Sequence, residues 1–177
     1  EAAWVGACEV VGAPSLLALH NHIRGEAPLP PPEPGAVAER RSTADLGDVK
    51  GQETARRALE VAAAGNHNML MVGPPGSGKS MLASRLTSIM PPLSAKEALE
   101  VSTIRSLAAE PGDGAICRER PFRKPHHTAS QTAIIGGGRM ATPGEISLAH
   151  RGVLFLDEMP EFARPVLEAL RQPIETG

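Results

Sequence analysis

The sequence predicts an α/β fold, a parallel sheet flanked by helices, on three observations. Two short, mainly apolar runs, Asn68–Val72 and Val153–Leu156, are too brief for helices and read as buried parallel strands. Stretches with helical spacing separate them, the alternation that builds such sheets. The first run also passes through a glycine-rich loop straight into a helical pattern.

Taken in order, Cys8–Ala13 reads as a strand, and Ser15 can cap a short helix carrying Leu16, Leu17, Leu19 and Ile23 that stops near Gly25. Residues 1–25 read as the tail of a preceding domain. From Glu26 to Pro34 there are five prolines, which favours an extended, semi-rigid chain, so a linker is expected over 26–45. Gln52–Ala64 sets Ala55, Ala58, Leu59 and Ala62 on one helical face, and Gly65 ends it. A helix over about 79–90 turns Leu82, Leu86 and Ile89 inward and stops at Pro91-Pro92. Ser94 and Glu97 form a capping box for the next helix. Residues 111–144 are loop-rich, with a possible short strand at Pro121–Lys124. Pro165–Arg171 is helical with proline in its first turn.

Composition removes several function classes. Formal charge is −2, so any nucleic-acid contact must come from a local patch. Cys8 and Cys117 are too far apart to belong to a ligand-spaced zinc set. No apolar run reaches the roughly 18 residues of a membrane span, and the start has no cationic leader, so a cytoplasmic protein without membrane contact is expected. The absence of an initiator Met and the stop at Gly177 suggest an excised fragment.

Chemistry concentrates in two places. Gly73-Pro74-Pro75-Gly76-Ser77-Gly78-Lys79-Ser80 fits the phosphate-loop pattern throughout. Its glycines let backbone N–H groups converge on phosphate, Lys79 can bridge the terminal phosphates, and the Ser80 hydroxyl can ligate Mg²⁺. The second is Val153-Leu154-Phe155-Leu156-Asp157-Glu158, a strand ending in two acids at the sheet edge where ligands bind in open α/β folds. There Asp157 would hold Mg²⁺, and Glu158 would orient or deprotonate the attacking water of ATP hydrolysis. Met69, Met71 and Met81 read as packing around the nucleotide.

Together the two motifs resemble an AAA+ ATPase core of the P-loop NTPase type. The phrases Asp48-Val49-Lys50-Gly51-Gln52, Ala63–Asn68, Lys124-Pro125-His126-His127-Thr128-Ala129-Ser130 and Pro143–Gly152 narrow this to the magnesium-chelatase-like ATPases, ComM/YifB branch. The resemblance covers about 46–177, and residues 1–25 look like the end of the Lon-protease-like domain that precedes the ATPase in that branch. It implies ATP and Mg²⁺ as cofactors, a homo-hexamer, and single-stranded or branched DNA as partner. By the same resemblance, Gln52 and Met81 join Gly73–Ser80 at the nucleotide. His126 falls where related ATPases carry a polar γ-phosphate sensor, which implies a His126–Glu158 contact. Between Arg118 and Arg139, five cations around Gly136-Gly137-Gly138 suggest a mobile basic loop, in which Arg123, Lys124 and Arg139 would grip DNA phosphates. The sensor-1 strand, arginine finger, sensor 2 and lid of the family are expected beyond Gly177. Competing readings are a chelatase motor subunit, an enhancer-binding transcription activator, and a nucleotide-binding scaffold without turnover. The Ile134–Gly144 stretch does not read as the loop of such activators.

Overall fold

The computed structural model describes residues 10–32, 37–38, 44–108, 116–138 and 141–176. Helix α1 (Leu16–Ile23) starts where the Ser15 hydroxyl accepts the N–H of Ala18, as a cap should. Its Leu16, Leu17 and Ile23 remain exposed. The strand expected at Cys8–Ala13 does not form over residues 10–13, and Cys8 lies outside the described residues. Within the expected linker, β1 (Val37–Ala38) pairs in parallel with β2 (Ile116–Cys117), so that stretch is more than a spacer. A 3-10 turn at Leu46–Asp48 closes through a reciprocal Asp45–Asp48 capping box and buries Leu46.

Next come α2 (Glu53–Gly65) and α3 (Lys79–Ile89), which pack on each other. Leu46, Val49, Leu59 and Leu82 form their shared core, joined by Ala55, Met69, Met71, Leu86 and Ile89. Ala58, expected on the inner face of α2, is exposed. The segment 68–72 departs further from expectation. Met69 and Met71 pack inward, but Leu70 and Val72 are 77% and 89% exposed, and the segment joins no ladder among the described residues. Apolarity alone says a run is fit to be covered on both faces; it does not supply the neighbouring strands.

The predicted capping box opens α4 (Ala95–Leu107): the Ser94 hydroxyl accepts the Glu97 N–H while Glu97 accepts the Ser94 N–H. Beneath α4, Leu93, Ala98, Val101 and Ile116 make a second small core. β3 (Phe122–Arg123) pairs in parallel with β6 (Val153–Leu154), in register Phe122↔Val153, extended by the Phe155 N–H donating to the Arg123 carbonyl. Gly152 is required at that junction, because a Cβ there would run into the Pro121 carbonyl.

The region expected to be a mobile basic loop is structured. α5 (Gln131–Ile135), capped by Ser130, leads into β4 (Gly136–Gly137), which pairs antiparallel with β5 (Thr142–Pro143). The reason is steric: Gly136 sits at φ +95° and Gly144 lies flat against its backbone, an approach no side chain would permit. Arg139, between β4 and β5, lies outside the described residues. α6 (Glu145–Leu148) and α7 (Arg164–Thr176) complete the chain, and Ile134, Phe162 and Val166 form a third core with Leu156. The molecule is thus α/β, with short parallel pairings among helices and three modest cores.

Candidate functional site

Because β3 and β6 are parallel, both chains leave the sheet at the same edge. Lys124 and His127 follow β3, and Asp157 and Glu158 follow β6. The N-terminus of α3 meets them there. Ser80, on its first turn, donates its hydroxyl to Asp157 Oδ2 at 2.7 Å, joining residues 77 apart in sequence. The two motifs therefore share one site.

The phosphate loop is held by conformations that suit glycine: Gly76 at φ +78° and Gly78 at φ +86°. Lys79 Nζ donates to the Gly73 and Pro74 carbonyls at 2.8 and 2.9 Å, folding its ammonium over the loop. Gln52 spans α2 and this loop, donating from Nε2 to the Ser77 carbonyl at 3.4 Å. It stands at φ 54°, a left-handed conformation that costs a non-glycine residue energy, with Gly51 at φ 70° before it. Pro75 is exposed, and Met81, expected to pack, is 42% exposed on the first turn of α3, with Met69 and Met71 doing the packing.

At the second motif, Asp157 collects three donors: Ser80 and Lys124 (Nζ, 2.9 Å) on Oδ2, and the Glu158 N–H on Oδ1 at 3.1 Å. The Lys124 ammonium first, then the Ser80 hydroxyl, hold the Asp157 carboxyl below its ordinary value. It is therefore ionised at neutral pH. A hydroxyl and an ionised carboxylate are hard oxygen donors, which suits Mg²⁺. Among the described residues no group of three His, Cys, Asp or Glu side chains could hold a metal, so His126-His127 forms no such centre.

Glu158 is left-handed at φ 53°, a strained conformation of the sort found where function dictates geometry. Its partner corrects an expectation. His127, not His126, reaches it, with Nδ1 at 3.4 Å from Glu158 Oε2. His126 Nδ1 instead bonds the Thr128 hydroxyl at 2.8 Å. The T-shaped contact of His127 with the buried Phe162 explains the choice, since it turns the second imidazole inward.

Two of the three expected DNA-binding cations are already engaged. Arg123 makes a bidentate pair with Glu145, at 2.6 and 2.8 Å, and Lys124 is on Asp157. Arg118 and Arg120 donate to the Leu93, Pro91 and Arg151 carbonyls. Arg139 is outside the described residues. Sequence reasoning missed the inward use of Lys124 and the role of His127. The signal was there: parallel pairing of 122–123 with 153–154 sends both exits over one edge.

Comparison with known proteins identifies the family. The family model for magnesium chelatase, subunit ChlI, matches residues 45–177. The chain is 56% identical to the uncharacterized protein YifB of Salmonella typhimurium over 88% of its own length and 31% of the relative. It is 53% identical to YifB of Escherichia coli over 93% of its length and 33% of that protein. To the competence protein ComM of Haemophilus influenzae it is 47% identical over its full length and 36% of the relative. The chain thus spans about a third of the curated relatives it matches. No helix among the described residues is long and apolar enough to cross a membrane. With a phosphate loop, a two-acid strand end and a family match over three quarters of its length, the chain belongs to the magnesium chelatase, subunit ChlI, family as a protein of the ComM/YifB type.

Proposed function

We propose that this chain carries the nucleotide site of an AAA+ ATPase, binding and hydrolysing ATP with Mg²⁺ to drive a ring-shaped motor on DNA. The observation that carries the reading is the 2.7 Å bond between Ser80 and Asp157, which brings the phosphate loop and the acidic strand end to one point. Mg²⁺, when bound, would supply positive charge against the phosphates. Ser80 and Asp157 would hold it. The remaining work falls to side chains of the chain itself. Lys79 exchanges its loop carbonyls for the terminal phosphates, a stronger, charge-assisted partnership. Glu158 orients the attacking water and accepts its proton. His127 restrains Glu158 until substrate is in place. Gln52 ties the start of α2 to the loop, and would lie beside the base.

The DNA substrate and a homo-hexameric assembly belong to this proposal as what the resemblance to the ComM/YifB branch implies. DNA contact by Arg123, Lys124 and Arg139 belongs to the same proposal. With Arg123 and Lys124 engaged within the fold, most of the salt-sensitive contact falls to Arg139. Neutralising all three should therefore flatten the dependence of DNA affinity on log[salt] by roughly one unit, not three. The family description favours a second reading, the motor subunit of a chelatase. The deciding experiment is ATP hydrolysis by the full-length protein with and without branched DNA across a salt series. Stimulation that fades with salt supports the DNA motor; no stimulation at any salt supports the chelatase.

A further inference from the structure

Lys124 is the one lysine whose ammonium sits on the carboxylate proposed to hold the metal. Its Nζ lies 2.9 Å from Asp157 Oδ2, the same oxygen that accepts the Ser80 hydroxyl at 2.7 Å. An ionised carboxylate oxygen offers two lone pairs, and both on Oδ2 are taken. Oδ1 already accepts the Glu158 N–H. Oδ1 keeps one lone pair, but a hydrated divalent cation that takes Oδ2, the oxygen facing Ser80, must displace a donor there, and the ammonium is the one it would repel. Lys124 is built to leave. Its side chain is 45% exposed, so its stem can swing into solvent without repacking a core, giving up only a cation–π contact with the Phe155 ring, whose centroid lies 5.5 Å from Nζ.

We propose that Lys124 is a resident counter-cation of the metal site, pairing with Asp157 when no metal is present and giving way when Mg²⁺ arrives with nucleotide. This rests on the nucleotide reading above. It makes Lys124 a positioning residue that keeps Asp157 aimed at Ser80, at the cost of a higher Mg²⁺ requirement. Because the pair is partly exposed, the competition should be modest.

The test follows binding of N-methylanthraniloyl-ADP to the full chain by fluorescence while MgCl₂ is raised from nil. For Lys124→Met, half-maximal binding should need about two- to fivefold less Mg²⁺ than for the unaltered protein, the effect of one partly exposed ion pair. Lys124→Arg, which keeps the cation, should stay near the unaltered protein. Without nucleotide, Lys124→Met should melt at a lower temperature, and the gap should narrow in Mg²⁺ plus ADP. An unchanged Mg²⁺ requirement overturns the proposal. So does a raised one, which would put the ammonium on the nucleotide's phosphates instead. If the unaltered protein binds the fluorescent ADP in no Mg²⁺-dependent way, the nucleotide reading fails and takes this one with it.

Discussion

At the scale of single residues, Lys79, Glu158 and His127 make separable demands. Lys79→Ala removes the charge proposed to face the phosphates and should weaken nucleotide affinity more than tenfold, about 1.4 kcal/mol or more, by calorimetry. Glu158→Gln keeps volume and loses the base, so nucleotide should bind while single-turnover hydrolysis slows by about 10²–10⁴. The two imidazoles differ by partner. His127→Ala releases Glu158 and should alter the ratio of basal to stimulated hydrolysis more than His126→Ala, whose ring is occupied by Thr128. A larger effect from His126→Ala would reverse that assignment. The phosphate loop and the acids were legible in sequence because each depends on local backbone: glycines at left-handed φ, and a short strand, Val153–Leu154, that ends shortly before Asp157. Which histidine faces Glu158 was not. That depends on Phe162, 35 positions away, and two adjacent identical side chains carry no sign of which turns inward.

Among the elements, the helices were well marked because their ends have chemical signals. Ser15 and Ser94 cap where capping residues should, and α3 begins at Lys79 and runs to Ile89 just before two prolines. Ser94→Ala should destabilise by about 1 kcal/mol in urea denaturation, since it deprives the Glu97 N–H of its acceptor. Strand partners were harder to see. β1 lies in a stretch whose prolines promised a spacer, and the hairpin of β4 and β5 is written in three glycines that also suit a loose loop. Its closure needed Gly144, which has no side chain to hold Gly136 off. Gly152 makes a comparable demand on β3 and β6. Gly152→Ala forces the strands apart and should cost roughly 1–3 kcal/mol, while lowering nucleotide affinity because Asp157 moves with β6. Lost stability with full affinity would show that the strand end is positioned by something other than this pairing.

At the scale of the molecule, acid sensitivity follows from three carboxylates among the described residues. Asp157 is lowered by Lys124 and then Ser80, Glu97 by Ser94, and Glu100 by His150 and then Arg151. A carboxyl lowered in the fold adds stability that is complete above its ordinary pKa, 3.8 for Asp157 and 4.5 for the glutamates. That stability is lost as pH falls through the lower folded values. Melting temperature should therefore hold from pH 7 to about pH 5 and drop below it, with Lys124→Met showing a shallower fall. An equally steep fall in Lys124→Met would remove Asp157 from the account. Finally, Leu70 and Val72 have a practical consequence. The stretch leading into the phosphate loop is greasy on its open side, and no strand among the described residues is laced to it. Such an edge is adhesive: any extended chain, including another copy, can lie along it. Expressed as these 177 residues, the protein should scatter light increasingly with concentration, and a Leu70→Lys/Val72→Lys pair should keep it clear while leaving the packed Met69 and Met71 in place.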